Sequence, residues 1–418
     1  MLKSHKKTIL EALGRNTIHP FPARMAAGIA LDVLGRYKDV KPLRVLDPMA
    51  GSGTVLAVAR TLGHEALGID LDPLAVLLAG VWTRTVNAHT VREMASEVLA
   101  TAKQKFDLLS VRQSYPSESD EETRKFIRYW FDGHARRQLV ALSSSINIIR
   151  DPATRDLLWC ALSRLIITKN SGASLAKDLS HSRPHRHFSS APMKPFDRFI
   201  SAVDAITKNC PQAASSIEGP PAVVNRGDAR QMDIASNSID LIVTSPPYLN
   251  AIDYIRCSKF SLVWMGYKIG ELRRIRGDIV GAQASCQKAL DSEWVSAIVK
   301  CLKLSPKLSS RDNGLLARYV WDMGNALRET ARVLRPGGRA VYVVGDSTVR
   351  NTFIRNSLVV VRTAQLHGLS IISRRVRDLP ANRRYMPPPK GLSSKAPMDT
   401  RMRKEVVLEF EKPHTLHS

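Results

Sequence analysis

Apolar positions along this chain follow two periods, and the first clear signal is a short run, Leu43 to Leu46, that ends in Asp47-Pro48-Met49-Ala50-Gly51-Ser52-Gly53-Thr54. Bounded by turn residues, the run predicts a buried strand, and Val55 to Leu62 then takes up helical spacing. A glycine-rich turn therefore joins strand to helix. Glu65 to Ile69 predicts a second strand closing at Asp70, and Asp72-Pro73 supplies a cap and first-turn proline for a helix through Leu74 to Val81. This βαβα opening predicts an α/β fold built on a doubly wound, Rossmann-like parallel sheet.

The pattern then changes. From about Asn87 to Glu218 the apolar residues recur at helical spacing, with Leu139, Leu142, Ile146 and Ile149 on one face and a further helix over Arg155 to Thr168. An inserted helical region is expected here, and the polar, basic stretch Gly172 to Ala191 reads as a loop that could order only on a partner. Strand character returns at Ala222 to Asn225 and at Ile239 to Val243, which runs into Thr244-Ser245-Pro246-Pro247-Tyr248. A second, mixed insertion covers Ala251 to about Leu316, and a helix ends at Val333-Leu334. Arg335-Pro336-Gly337-Gly338 predicts a tight turn into the strand Arg339 to Val344. Leu369 to Val376 and Glu405 to Phe410 complete the sheet.

Composition narrows the partners. The 418 residues and 44% hydrophobic content suffice for a large core, while 62 Lys+Arg against 38 Asp+Glu leave a formal charge of +24. Such an excess exceeds what solubility requires and points to a polyanion, nucleic acid first. No apolar run is long enough to span a bilayer, and the lysines near Met1 adjoin no signal-peptide core, so a cytoplasmic protein without membrane contact is expected. The cysteines Cys160, Cys210, Cys257, Cys286 and Cys301 are scattered, with no CxxC pair, and read as reduced, mostly packing residues. His181, His185 and His187 are interleaved with arginines and lack neighbouring carboxylates or thiolates, which favours a basic loop over a metal site. No metal is expected.

Gly51 and Gly53 allow the first turn to bring its backbone close to a ligand, and Asp47 ends the first strand, where such sheets bind cofactors. No Gly-Lys-Ser/Thr follows, so this is no P-loop, and the spacing is not GxGxxG. Asp70, at the end of the next strand, can accept both hydroxyls of a ribose; taken alone it also fits a helix cap. Asp228 is placed to accept from an adenine amino group; taken alone it also fits a turn. In order along one sheet, these acids describe a nucleoside with a charged amino-acid tail, and S-adenosylmethionine is the cofactor inferred. The Pro246-Pro247 turn donates no backbone N–H at those positions and leaves carbonyls open, with a hydroxyl at Ser245 and an aromatic face at Tyr248. A flat ring bearing an amino group, such as a base flipped from nucleic acid, fits that pocket, although prolines also end ordinary strands.

Together these motifs resemble the amino-methyltransferases of DNA. Asp47-Pro-Met-Ala-Gly-Ser-Gly53 is similar to their cofactor loop, Thr244-Ser-Pro-Pro-Tyr248 to their catalytic loop, and His19-Pro-Phe-Pro22 to the N-terminal element that contacts the methionine part of the cofactor. The likeness covers roughly half the chain. It implies a seven-stranded methyltransferase sheet with the last strand antiparallel, cofactor binding by Phe21, Pro22, Asp47, Pro48, Gly51, Gly53, Thr54, Asp70 and Asp228, and catalysis by Ser245, Pro246, Pro247 and Tyr248. The implied organisation is a first half at 1–86, an inserted helical recognition region at 87–218, and a catalytic half at 219–418 with a second insertion at about 251–316. Met49 departs from the family, which usually has an aromatic there. Ser245 is more typical of cytosine-N4 enzymes than of adenine-N6 enzymes.

The expected reaction is direct methyl transfer to the N4 amine of cytosine in double-stranded DNA, with adenine N6 in DNA and guanine N2 in RNA as alternatives. Hydrogen bonds from the amine to Ser245 and the Pro246 carbonyl would localise its lone pair, and Tyr248 would hold the base by stacking. A cognate restriction endonuclease is a further expected partner; monomer and dimer both remain open. Asn250, Asp253 and Tyr254 fit the start of a helix better than a pocket wall. The arginines from Arg374 to Arg384, with Lys390, suit phosphate contact or a solvated loop.

Overall fold

The computed structural model describes residues 8–22, 24–180, 184–212, 219–249, 253–282, 286–305, 308–349, 352–378 and 404–414. Asn250, Arg383, Arg384, Lys390 and His181 lie outside the described residues. The strands are β1 (Arg44–Asp47), β2 (Glu65–Asp70), β3 (Val223–Arg226), β4 (Ile239–Thr244), β5 (Leu334–Gly345), β6 (Ser347–Val349), β7 (Thr352–Ile354), β8 (Ser370–Asp378) and β9 (Lys404–Glu411). β6 and β7 make a small hairpin sheet, and the remaining seven form one sheet in the order β3-β2-β1-β4-β5-β9-β8. β1 pairs with β4, β2 with β3 and β4 with β5 in parallel, whereas β9 runs antiparallel to both β5 and β8. The doubly wound, Rossmann-like sheet with an antiparallel last strand is therefore the fold.

Two compact units divide the chain. One comprises Met1–Val40, Ala50–Arg226 and Asp253–Arg276; the other comprises Lys41–Met49, Gly227–Ile252 and Gly277–Ser418.

In the first unit, polar caps start the helices where the sequence changes period. Asn87, Asp120, Asp132 and Asp151 each accept a backbone N–H from the first turn of the helices Ala88–Leu108, Glu121–Trp130, Gly133–Ile146 and Pro152–Ile166. Leu139, Leu142 and Ile146 are fully buried, but the helix stops at Ile146, so Ile149 lies beyond the face predicted for it. The stretch after Gly172 differs more from expectation. Ala173, Ser174, Leu175 and Ala176 are buried, with Ala173 N donating to Leu165 O at 2.8 Å and Leu175 N to Trp130 O at 2.8 Å. Its apolar residues seat it on the helices Pro152–Ile166 and Glu121–Trp130. Phe131 is buried against Trp264, ring centroids 5.1 Å apart, as part of the core. Cys160, Cys210 and Cys257 are buried outside any disulfide, whereas Cys301 is exposed.

In the second unit, Leu334 pairs with Ile239 and Arg339 with Leu241, so residues 335–338 bulge out of β5. The predicted tight turn is thus a loop within the strand. Gly337 takes φ +75° there and donates to Lys412 O at 2.7 Å. The helix Ser310–Val333 begins earlier than its expected insertion boundary and carries Gly324, where a Cβ would come within 2.4 Å of the Trp294 ring. Trp294 in turn stacks on Trp321, centroids 5.6 Å apart. Among the described residues no helix is long and apolar enough to cross a membrane.

Candidate active site

In the second unit β1 and β4 lie side by side in parallel, with Leu46 opposite Ile242, so both strands deliver their last residues to the same end of the sheet. Binding groups collect at such carboxyl ends. Asp47 is buried at the end of β1, and its Oδ1 accepts from Thr244 Oγ1 at 2.7 Å and from Met49 N at 3.1 Å. Thr244 thereby joins the expected cofactor loop to the expected catalytic loop. Pro48 and Pro246 are buried, while Ser245, Pro247 and Tyr248 are half-buried. Ser245 Oγ donates to Val343 O at 3.1 Å and lies 3.4 Å from the Tyr248 hydroxyl, which donates to Glu405 Oε1 at 3.2 Å. With both protons directed elsewhere, the Ser245 oxygen keeps lone pairs for an incoming donor.

Asp228 belongs to a different arrangement from the one its position suggests. Arg230 forks onto it through Nε and Nη2, at 3.0 and 2.7 Å, and reaches Asp322 Oδ1 at 2.6 Å. The carboxylate is neutralised by a guanidinium, which leaves part of its acceptor capacity for an amino group.

In the first unit the glycine turn continues with Gly51 at φ +51° and Gly53 at φ +84°. Gly53 precedes the helix Thr54–Thr61, and a Cβ on it would lie 2.9 Å from Ala79 Cα. Left-handed geometry and this close packing both require glycine. Gly51 N donates to Asp70 Oδ2 at 2.8 Å, and Asp72 N to Asp70 Oδ1 at 2.9 Å, which orients the carboxylate at the end of β2. Burial raises the Asp70 pKa against these hydrogen bonds. Ser52 Oγ and Thr54 Oγ1 are buried in the same turn without a hydrogen-bond partner. Such orphaned hydroxyls fit a turn built around a polar ligand.

Asp72 caps the helix Pro73–Trp82 through Leu74 N at 2.9 Å, and its other oxygen accepts from Ser258 Oγ. Burial is the main cause that pushes its pKa up to about 7, and the neighbouring Asp70 adds to it. Phe21 is buried and stacks on Tyr254 with centroids 6.2 Å apart and planes 8° from parallel; Pro22 is buried beside it in sequence. Tyr254 immediately precedes the helix Ile255–Leu262, whose first turn Asp253 caps through Arg256 N at 3.1 Å. His19 bonds Ser163 Oγ at 3.0 Å, and burial together with Arg24 and Arg164 lowers its pKa to about 3. It is a neutral, packed histidine.

Thr244, Glu405 and Ser258 carry contacts that sequence reasoning missed. Glu405 is 157 residues from Tyr248 along the chain, and no local pattern links them. Thr244 opens a marked motif without having been given a role there, and its hydroxyl at a strand end was the available signal.

No family model matches the chain. It is similar to the type II methyltransferase M.MvaI of Kocuria varians, 20% identical over 387 residues that cover 87% of this chain and 84% of the relative. It is also similar to the type II methyltransferase M.AvaI of a Nostoc species, 24% identical over 347 residues covering 73% of this chain and 68% of the relative. A third relative is the type II methyltransferase M.BsoBI of Geobacillus stearothermophilus, 23% identical over 263 residues, with 58% and 50% covered. Among solved structures, an S-adenosylmethionine-dependent methyltransferase of Methanosarcina mazei aligns over 91% of this chain and 97% of its own, at 9% identity and a TM-score of 0.32.

Proposed function

We propose that this chain, a relative of the type II methyltransferases, methylates the exocyclic N4 amine of cytosine in double-stranded DNA. S-adenosylmethionine is the cofactor. When bound, it supplies a methyl group activated by a sulfonium. The residues fit it: orphaned Ser52 and Thr54 hydroxyls line the glycine turn, and two carboxylates, the buried Asp47 and the half-buried Asp70, end consecutive strands of the sheet. Asp47 would hold its amino group, Asp70 its ribose, and Pro48, Gly51, Gly53 and Thr54 would form its cradle, with Phe21 and Pro22 against the methionine portion. Asp228 would accept from the adenine with the lone pairs that Arg230 leaves.

The observation that carries the reading is the state of Ser245. Its proton is directed at Val343 O, so its oxygen is available to accept from a base amine. Acceptance by Ser245 and the Pro246 carbonyl would draw the amine lone pair out of the ring, and orientation with electrostatics would supply the rest of the rate. Tyr248 would stack on the flipped base, which contributes about 1–3 kcal/mol. The helices between Ala88 and Thr207 would read the target sequence. A nuclease recognising the same site would be the partner in the cell.

Presenting unmethylated duplex DNA and transfer RNA together, with methyl-labelled cofactor, tests the substrate. Label in DNA alone is expected; label in RNA alone would overturn the assignment.

A further inference from the structure

The Tyr248 hydroxyl is tied to a charged pair outside the catalytic loop. It donates to Glu405 Oε1 at 3.2 Å, and Glu405 Oε2 accepts from Arg377 Nε at 2.8 Å and Nη2 at 2.6 Å. Register places these groups together: Glu405 on β9 lies opposite Gly345 on one side and Arg377 on the other. Both side chains are largely buried, 13% and 15% exposed. A guanidinium fork that grips one carboxylate oxygen fixes the other as an acceptor. Two strands therefore hold the loop, β5 through Ser245 and Val343, and β9 through Tyr248 and Glu405.

We infer that Glu405, held by Arg377, is a positioning residue that sets the ring of Tyr248 before the target base arrives. A tyrosine side chain has two main torsions, and anchoring its far end removes most of the remaining ring motion. A stacking surface fixed in advance saves the ordering cost at the moment of binding. Arg377 acts one step further back, because without it the carboxylate can swing away. The inference rests on the reading of Tyr248 as the residue that stacks on the base.

A mutant cycle tests it, with single-turnover methylation of unmethylated plasmid DNA as the readout and cofactor affinity measured beside it. Tyr248→Phe keeps the stacking face and removes only the anchored hydroxyl. Tyr248→Phe and Glu405→Ala should each slow methyl transfer by about tenfold, the order carried by a hydrogen bond to a charged group, with cofactor affinity unchanged. The double variant should be no slower than Glu405→Ala alone, and Glu405→Gln, which retains an acceptor, should lie between it and the wild type. Wild-type rates in Glu405→Ala, or losses that multiply in the double variant, would overturn the inference. Should Glu405→Ala fail to bind cofactor, Glu405→Gln takes its place in the cycle under the same criteria. Tyr248→Ala separates the two claims: a full rate there removes the stacking role and the inference with it. A slow Tyr248→Ala beside unimpaired Tyr248→Phe and Glu405→Ala removes the positioning role alone.

Discussion

Asp72 and His19 are both buried titratable groups, and they bias stability in opposite directions with pH. The folded-state pKa of Asp72 is raised to about 7, so its protonated form is favoured by folding, and the stability it contributes is lost as pH rises from the ordinary carboxylate range through about 7. His19 is lowered to about 3, so its contribution is present above the ordinary histidine range and is lost as pH falls toward 3. Asp72→Asn keeps the helix cap, and the Ser258 hydroxyl already lies 3.0 Å from Tyr254 O, which can take its proton. Urea unfolding at pH 5, 6 and 7 should show a flatter loss of stability in Asp72→Asn than in the wild type, by about 1 kcal/mol per pH unit. His19→Gln should instead remove part of the loss on the acid side. Parallel profiles for wild type and both variants would contradict these assignments.

At the scale of elements, the glycine turn between β1 and the helix Thr54–Thr61 is the piece whose sequence and geometry agree most closely. Gly53 combines φ +84° with a 2.9 Å approach to Ala79, so Gly53→Ala adds both backbone strain and a collision with a buried helix. It should lower unfolding free energy by about 1–3 kcal/mol and weaken cofactor binding, read by thermal melting and by titration. An unchanged melting point would mean that the turn is held less tightly than its packing indicates. The strands, the glycine turn and the Pro-Pro turn after β4 were legible because each couples a run of one period to residues with special backbone geometry. The burial of Ala173 to Ala176 was not, since short apolar residues in a polar, basic stretch give no period. Nor was the reason for Gly324, which is the Trp294 ring, because that contact joins residues with no shared pattern. The ion pairs of Arg230 with Asp228 and with the distant Asp322 were hidden for the same reason.

For the whole molecule, charge sets the terms of association. A formal charge of +24 implies that phosphate contacts supply much of any affinity for duplex DNA, and such contacts release counterions. Affinity for a mixed-sequence duplex should therefore fall steeply with salt, by roughly 10³-fold or more between 50 and 200 mM if at least six phosphates are engaged. Binding that is insensitive to salt over that range would argue against a nucleic-acid substrate.

The most direct test is of the base itself. Duplex DNA incubated with the protein and methyl-labelled S-adenosylmethionine can be digested to nucleosides and resolved by chromatography with mass detection. The account predicts that the label elutes as N4-methylcytosine, because the Ser245 oxygen, whose proton goes to Val343 O, would accept from the amine of a flipped cytosine. Label recovered as N6-methyladenine would contradict the choice of base, and DNA free of label would contradict the function.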